Sequence, residues 1–254
     1  MVKPKKHLGQ HFLKDESISL EIASSLIQSP NSDILIEIGP GTGALTKFLL
    51  ERQETLIALE VDNESIAYLK DNYPALDVRN EDFLKFDFTY FSSQKVSIVG
   101  NFPYNISSQI LFKVLEEKDK VFQLVGMFQK EVAQRVAEKP GNKRYGIISV
   151  LVQAFFEVEY LFTVDEHVFD PPPKVKSGVI RLTRNNTLKL PCNEQLFKSV
   201  VKATFNQRRK MIRNTIKSFV GKNIEDHSLF TKRPEQLSVE DFIVLTNFLE
   251  TLMK

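Results

Sequence analysis

The sequence predicts an α/β protein in which a mostly parallel, doubly wound sheet is followed by a small helical domain. Short apolar runs rich in Val, Ile and Leu alternate with segments of helical periodicity through most of the chain. This strand-helix-strand order is typical of parallel sheets. Beyond Asn185 the strand-like runs stop and a period of about 3.6 residues dominates, which indicates a helical end.

Six apolar runs are predicted to be strands: 33–38, 55–61, 96–100, 121–128, 147–156 and 178–182. Helical spacing separates the first of them, as in Leu45, Phe48 and Leu49 after the first run. The last runs lie closer together and flank the turn Asp170-Pro171-Pro172-Pro173. Because a helical crossover does not fit between them, we expect an antiparallel edge there.

The change of pattern predicts two domains, one over 1–187 that contains the sheet and one over 188–254 built of helices. Within the second, the stretch 198–217 is expected to be one amphipathic helix with a basic polar face. Its apolar side is predicted to carry Val201, Phe205, Ile212 and Phe219, with Lys202, Arg209 and Arg213 beside them.

Composition excludes several classes of protein. The 254 residues are 42% hydrophobic and 26% charged, and no apolar run reaches the roughly 18 to 20 residues that span a bilayer. The basic N-terminus lacks the apolar stretch of a secretory signal, so cytoplasm is the expected compartment. Cys192 is the only cysteine, and His7 and His11 have no further ligands nearby in the sequence. No disulfide, no metal and no membrane contact are expected.

Positive charge is concentrated in two segments although the formal net charge is only +2. Four lysines and no acid precede Asp15, and seven basic residues and no acid lie between 198 and 217. Either segment alone fits a solvated face as well as a phosphate-binding surface. The candidates for phosphate contact are Lys5, Lys6, Arg208, Arg209, Lys210 and Arg213.

A glycine-rich turn follows the first predicted strand and opens a helix, as in nucleotide-cofactor loops. It contains Gly39 and Gly41, and Glu60 stands 21 residues after Gly39, where a carboxylate can accept from both hydroxyls of a ribose. This spacing also fits a dinucleotide fingerprint. An additional glycine and the preceding Glu37 favour S-adenosylmethionine, whose amino acid tail replaces a pyrophosphate. Asp82 is placed to accept from the adenine amino group.

The tetrapeptide Asn101-Phe102-Pro103-Tyr104 follows a further predicted strand and carries the chemistry. An exocyclic adenine amine is a weak nucleophile because its lone pair is delocalised into the ring. Acceptors at the Asn101 side-chain oxygen and the Pro103 carbonyl would direct that lone pair toward a sulfonium methyl group and stabilise the developing charge. Tyr104 offers a face for a base turned out of its stack, and Phe102 is expected to wall the pocket.

These motifs together resemble the ribosomal RNA adenine dimethyltransferase family, in its bacterial small-subunit form. The resemblance covers residues 6–13, the glycine loop, Glu60, Asp82, 101–107, 128–135, 171–177 and 205–210. It implies a Rossmann-like, S-adenosylmethionine-dependent methyltransferase sheet, with 1–187 catalytic and 188–254 RNA-binding. The family usually has Leu at Phe102, and Asn is common at His11.

The resemblance further implies that His11 and Leu13 line the cofactor site with Gly39, Glu60, Asp82 and Asn101. The implied product is dimethyladenosine at two adjacent positions near the 3′ end of 16S rRNA, formed by a monomer acting on an assembling small subunit. Three alternatives stay open: an antibiotic-resistance dimethylase of large-subunit RNA, an RNA-binding assembly factor with little turnover, and, on the glycine loop alone, an oxidoreductase.

Overall fold

The computed structural model describes residues 2–28, 34–91, 94–220 and 226–253. In these residues one sheet has the strand order β4-β3-β2-β5-β6-β9-β7, and β1 pairs separately with β8. The strands are β1 Phe12–Leu13, β2 Ile34–Ile38, β3 Thr55–Glu60, β4 Asp77–Asn80, β5 Val96–Asn101, β6 Val121–Gln129, β7 Phe156–Val164, β8 Phe169–Asp170 and β9 Ser177–Arg184.

The sheet is parallel from β4 through β6 and antiparallel between β6 and β9, as the sequence predicts for its last strands. From β2 the chain proceeds outward to β3 and β4, then returns to β5 on the other side of β2. Ligands of such sheets bind outside the carboxyl ends of the strands, where the order reverses. The fold therefore directs the chain segments after β2, β3, β4 and β5 to one edge.

The central strands form because their side chains are apolar on both faces. All five residues of β2 are buried, as are all but the first of β3 and all but the last of β5. A strand covered on both faces reads as a continuous apolar run, so the sequence located these strands. Asp33, the predicted start of the first strand, lies outside the described residues. The short β4 is half exposed and has no such run.

The predicted strand over 147–156 is wrong. This run forms a helix, Ile147–Gln153, and a strand begins only at Phe156. A short apolar run fits a buried helix as well as a buried strand. Gly146 precedes the helix, and its amide donates to the Ser149 hydroxyl at 2.9 Å, which fixes the helical start.

Ten α-helices occur in the described residues: α1 Glu16–Ser24, α2 Thr46–Leu49, α3 Asn63–Asn72, α4 Ser107–Glu116, α5 Lys130–Ala137, α6 Ile147–Gln153, α7 Glu194–Asn206, α8 Ile212–Thr215, α9 Lys217–Val220 and α10 Val239–Leu252. Polar side chains fix several starts. Asp15 caps α1, Asp62 caps α3, Asn193 caps α7 and Ser238 caps α10.

The chain divides into two compact units. The first comprises Met1–Gln134 and Glu157–Arg184, and the second comprises Arg135–Phe156 and Asn185–Lys254. The first contains the sheet, with a core that includes Leu35, Ala58 and Val99. The second is helical, and it adds the residues around α6 to the C-terminal stretch. The sequence predicted a single boundary after 187, which left the residues around α6 in the first domain.

The predicted single helix over 198–217 is also wrong. Helix α7 ends at Asn206, and a turn at 207–211 separates it from α8. The Ile212 amide donates to the Lys232 carbonyl at 2.8 Å, and this tertiary bond replaces one that a continuous helix would make. Val201, Phe205 and Ile212 are nevertheless buried, so these three form part of the predicted apolar side.

No helix among the described residues combines the length and the apolar character needed to cross a membrane.

Candidate active site

A cavity of about 250 Å³ lies at the carboxyl edge of the parallel strands. It is lined by the chain segments that follow β2, β3, β4 and β5 and by the N-terminal segment before α1. The structure brings together every residue predicted to bind the cofactor: His11, Leu13, Gly39, Gly41, Glu60, Asp82 and Asn101. Phe102, Pro103 and Tyr104 line the same cavity.

The glycine loop leaves room for a ligand. Gly39 and Gly41 have φ angles of 63° and 58°, a backbone conformation that side chains with a Cβ rarely adopt. A Cβ at Gly39 would meet nothing within 4 Å, because the backbone faces open space there. At Gly41 a Cβ would lie 2.8 Å from the Phe12 ring. The loop therefore forms a cradle of backbone without side chains at Gly39 and Gly41, which leaves room for a nucleoside-type cofactor. The Phe12 ring closes one side of it.

Two acidic residues, Glu37 and Glu60, line the cavity together with this cradle. The Glu37 side chain accepts from the Thr46 hydroxyl at 2.7 Å, and burial raises the pKa of its carboxyl to about 8. Glu60 is 4% exposed and accepts three backbone amides, from Val61 and Asp62 on Oε1 and from Gly41 on Oε2. Burial raises the pKa of Glu60, against those three hydrogen bonds. Oε2 holds a single one of these donors and has a lone pair left for a ribose hydroxyl.

The end of the cavity near β4 combines an acceptor with apolar side chains. Asp82 Oδ1 accepts the Leu84 amide at 3.0 Å, which holds the carboxylate at the start of a short 3-10 helix. Val61 and Phe83 line the cavity beside Glu60 and Asp82. No role for these two residues was predicted from the sequence. The only signal was that each directly follows a predicted polar contact.

Asn101 ends β5 with its side chain held by the N-terminal segment. Its Nδ2 donates to the His11 carbonyl at 2.9 Å. Because that bond uses the amide nitrogen, it sets Oδ1 as the acceptor. This orientation is the one that the predicted contact with an adenine amine requires.

The Pro103 carbonyl is engaged within the protein. It accepts the Ile106 amide and the Ser107 hydroxyl, each at 3.2 Å. A carbonyl oxygen has two lone pairs, so a contact with an adenine amine would displace one of these donors. The sequence did not predict these local bonds, which arise as the chain turns into α4.

Tyr104 is held at its hydroxyl and over its ring. The hydroxyl lies 2.6 Å from Ser177 Oγ, and burial raises its pKa. The His11 ring stacks on the Tyr104 ring with centroids 5.5 Å apart and planes at 28°. His11 Nδ1 donates to the Pro171 carbonyl at 2.6 Å. The N-terminal motif and the proline-rich turn therefore both support Tyr104.

Comparison with known proteins identifies the family of this chain. The sequence profile of the family described as Ribosomal RNA adenine dimethylase matches residues 1–250. The chain belongs to this family. The predicted family, fold class and enzyme class are thereby confirmed: the chain is a ribosomal RNA adenine methyltransferase with a methyltransferase sheet.

Individual relatives of the chain support the same family assignment. A protein of Bacteroides thetaiotaomicron named Ribosomal RNA small subunit methyltransferase A is 55% identical over 100% of this chain and 97% of its own length. A protein of the same name from Cytophaga hutchinsonii is 56% identical over 98% of each chain. Among solved structures, a dimethyladenosine transferase from Plasmodium falciparum is similar with a TM-score of 0.80 at 26% identity, over 94% of this chain and 98% of that one.

The structure of the 23S rRNA methyltransferase ErmE is similar with a TM-score of 0.69 at 25% identity, over 93% of this chain and 99% of that one. Membership of an adenine dimethylase family leaves the oxidoreductase alternative without support. That alternative rested on the glycine loop alone, and the loop lies within the residues that match the dimethylase family.

Three of the basic residues predicted to contact RNA are paired within the dimethylase. Lys5 forms ion pairs with Asp62 and Glu64. Arg208 donates to the Asn142 carbonyl at 3.2 Å and lies 3.8 Å from the Glu235 carboxylate. Arg213 pairs with Asp226. Lys6, Arg209 and Lys210 are exposed and form no ion pair with another described residue.

Proposed function

We propose that this dimethylase transfers methyl groups from S-adenosylmethionine to the exocyclic amines of two adjacent adenosines near the 3′ end of small-subunit ribosomal RNA, as a monomer on an assembling subunit in the cytoplasm. The family supports the reaction and the relatives named small subunit methyltransferase A support the choice of subunit. The observation that carries the proposal is the acceptor geometry of Asn101 beside the glycine cradle.

When bound, S-adenosylmethionine supplies a methyl group on a sulfonium, which is an electrophile. The residues of the chain that fit this molecule are Gly39 and Gly41 in the cradle, Glu60 toward the ribose and Asp82 toward the adenine amine. Glu60 Oε1 is saturated by two amides, so Oε2 is the oxygen that we assign to the ribose.

Asn101 Oδ1 prepares the target amine. By accepting one amine hydrogen, it makes the nitrogen more tetrahedral and stabilises the positive charge that grows on it. No strong base is needed, since the methylated nitrogen is acidic and releases its proton to solvent. The His11 carbonyl holds Asn101 in this orientation before the substrate arrives, and this preorganisation is what makes the contact effective.

Tyr104 receives the base. An adenine in structured RNA must leave its stack to reach a cavity of this kind, and stacking on an aromatic ring offsets part of that cost. His11 already lies over the Tyr104 ring, so the incoming base uses the remaining ring surface or displaces the imidazole.

Substitution of Asn101 tests the proposal. We expect Asn101→Ala to bind S-adenosylmethionine with near-normal affinity while its rate of methyl transfer to small subunits falls by about two to three orders of magnitude. Calorimetry measures the affinity, and incorporation of labelled methyl groups measures the rate. The matched control is Asn80→Ala, which removes an exposed amide at the end of β4 and should leave the rate unchanged. A normal rate for Asn101→Ala would contradict the role of Asn101.

A further inference from the structure

The helical unit contains a basic surface formed by two distant chain segments, of which the sequence indicated only the second. One is the loop at 138–144, which precedes α6. The other is the turn at 207–211, which follows α7. The Arg208 side chain joins them by donating to the Asn142 carbonyl at 3.2 Å.

The 138–144 loop is fixed at several points within this unit. The Gly141 amide donates to the Glu235 carbonyl at 2.6 Å, and Gln153 Nε2 donates to the Glu138 carbonyl at 2.8 Å. Gly141 has a φ of 94°, which lets the chain turn tightly. A loop held in this way loses little conformational freedom when it binds a partner.

Aromatic packing ties the two segments together as well. Tyr145, directly after the loop, is fully buried with its ring centroid 6.1 Å from that of Phe205. The Arg208 guanidinium lies 5.9 Å from the same Phe205 ring. The loop and the turn therefore share one buried support.

The charges at this junction are unequal. Two carboxylates at the junction already face cations inside the unit, because Glu235 lies 3.8 Å from Arg208 and Glu138 lies 3.8 Å from Arg144. Lys139 and Lys143 of the loop are exposed, as are Arg209 and Lys210 of the turn. None of these four side chains pairs with a carboxylate in the part of the chain that the structure describes.

We propose that the 138–144 loop is a ribosomal RNA contact, in which Lys143, with Lys139, binds phosphates of the strand that the 207–211 turn also contacts. This inference rests on the proposed function. Lys143 adjoins Asn142, and Arg209 adjoins Arg208, so the hydrogen bond between Arg208 and Asn142 joins the two chain segments that carry these exposed cations. Cations on two joined segments can each contact a phosphate of the same RNA backbone.

Binding of the full chain to unmethylated small subunits, measured at several salt concentrations, tests this. Each phosphate contact that is lost reduces the slope of log affinity against log salt by about 0.7 to 1. We expect Lys143→Gln to reduce the slope by that amount and Lys139→Gln/Lys143→Gln to reduce it further. Lys143→Arg should retain the wild-type slope. Cofactor affinity and melting temperature should not change in any of them.

The matched control is Lys198→Gln, an exposed lysine on α7 that lies about 12 Å along the helix from its end at Asn206. It makes the same change of net charge and should keep the wild-type slope. A wild-type slope for Lys139→Gln/Lys143→Gln, with methylation intact, would overturn the loop proposal and leave the proposed function standing. If the wild-type chain neither bound nor methylated small subunits, both would be overturned.

Discussion

Phe102 shows how one side chain is matched to the strands around it. Its ring is 1% exposed and packs over two glycines of neighbouring strands. A Cβ added to Gly126 would lie 2.0 Å from the ring, and one added to Gly100 would lie 2.6 Å from it. The Phe128 ring meets it edge-on with centroids 4.9 Å apart. Phe102 therefore supports the end of β5 from the core and lies behind Asn101, a role that the motif alone did not reveal.

The buried Glu37 gives a pH-dependent stability. Its pKa is about 8 when folded, against an ordinary value of 4.5, because burial disfavours the charged form. The folded protein therefore keeps a proton that the unfolded chain releases between these values. The resulting stabilisation is complete below about pH 4.5 and is lost as the pH rises through about 8.

Glu37→Gln tests this, because glutamine keeps an acceptor for Thr46 but does not titrate. We expect the free energy of unfolding of the wild type to fall, relative to Glu37→Gln, by up to about 1.4 kcal/mol for each pH unit within that window. Urea unfolding of both proteins at pH 5, 6, 7 and 8 measures the difference. Parallel pH profiles for the two proteins would show that Glu37 is not protonated in the folded state.

The central strands and the cofactor residues were predictable because local pattern determines them. Strands β2, β3, β5 and β6 are apolar runs, and their ends carry Glu60 and Asn101 in the predicted places. The error over 147–156 arose because a buried helix and a buried strand have the same short apolar run. The break after α7 depends on the bond from Ile212 to the Lys232 carbonyl, which no local pattern shows.

Lys5, one of the residues predicted to contact RNA, has ion-pair partners that the sequence does not show. Its amine pairs with Asp62 and Glu64, and its backbone amide donates to the Gln10 side-chain oxygen at 2.8 Å. Asp62 and Glu64 lie more than 50 residues away along the chain, so only the fold brings them to Lys5. These contacts fasten the start of the segment that continues through His11 and Leu13 along the cavity.

The N-terminal segment that Lys5 holds should influence how tightly the cofactor binds. We expect Lys5→Gln to weaken binding of S-adenosylmethionine by about two- to fivefold, the scale of a partly exposed ion pair, because the segment along the cavity is less firmly held. Calorimetry with Lys3→Gln as the exposed, same-charge control measures this. The salt dependence of small-subunit binding should stay at the wild-type value. A flatter salt slope with unchanged cofactor affinity would instead support the RNA contact predicted from the sequence.

The topology of the whole chain explains why residues from 11 to 104 meet in one cavity. Four parallel strands end at one edge, and each contributes a different part of the site: the cradle after β2, Glu60 from β3, Asp82 after β4 and Asn101 from β5. Strands β1 and β8 then connect the N-terminal segment to the proline-rich turn. The helical unit carries the exposed cations Lys139, Lys143, Arg209 and Lys210, so the proposed RNA contacts lie in a different part of the chain from the cavity.

Methylation of isolated ribosomal subunits distinguishes the proposed substrate from its alternatives. Labelled S-adenosylmethionine is incubated with the chain and with unmethylated small subunits or large subunits, and the modified bases are mapped. We expect label in small-subunit RNA alone, as dimethyladenosine at two adjacent positions near its 3′ end. Label in large-subunit RNA, or binding to small subunits without transfer of methyl groups, would contradict the account.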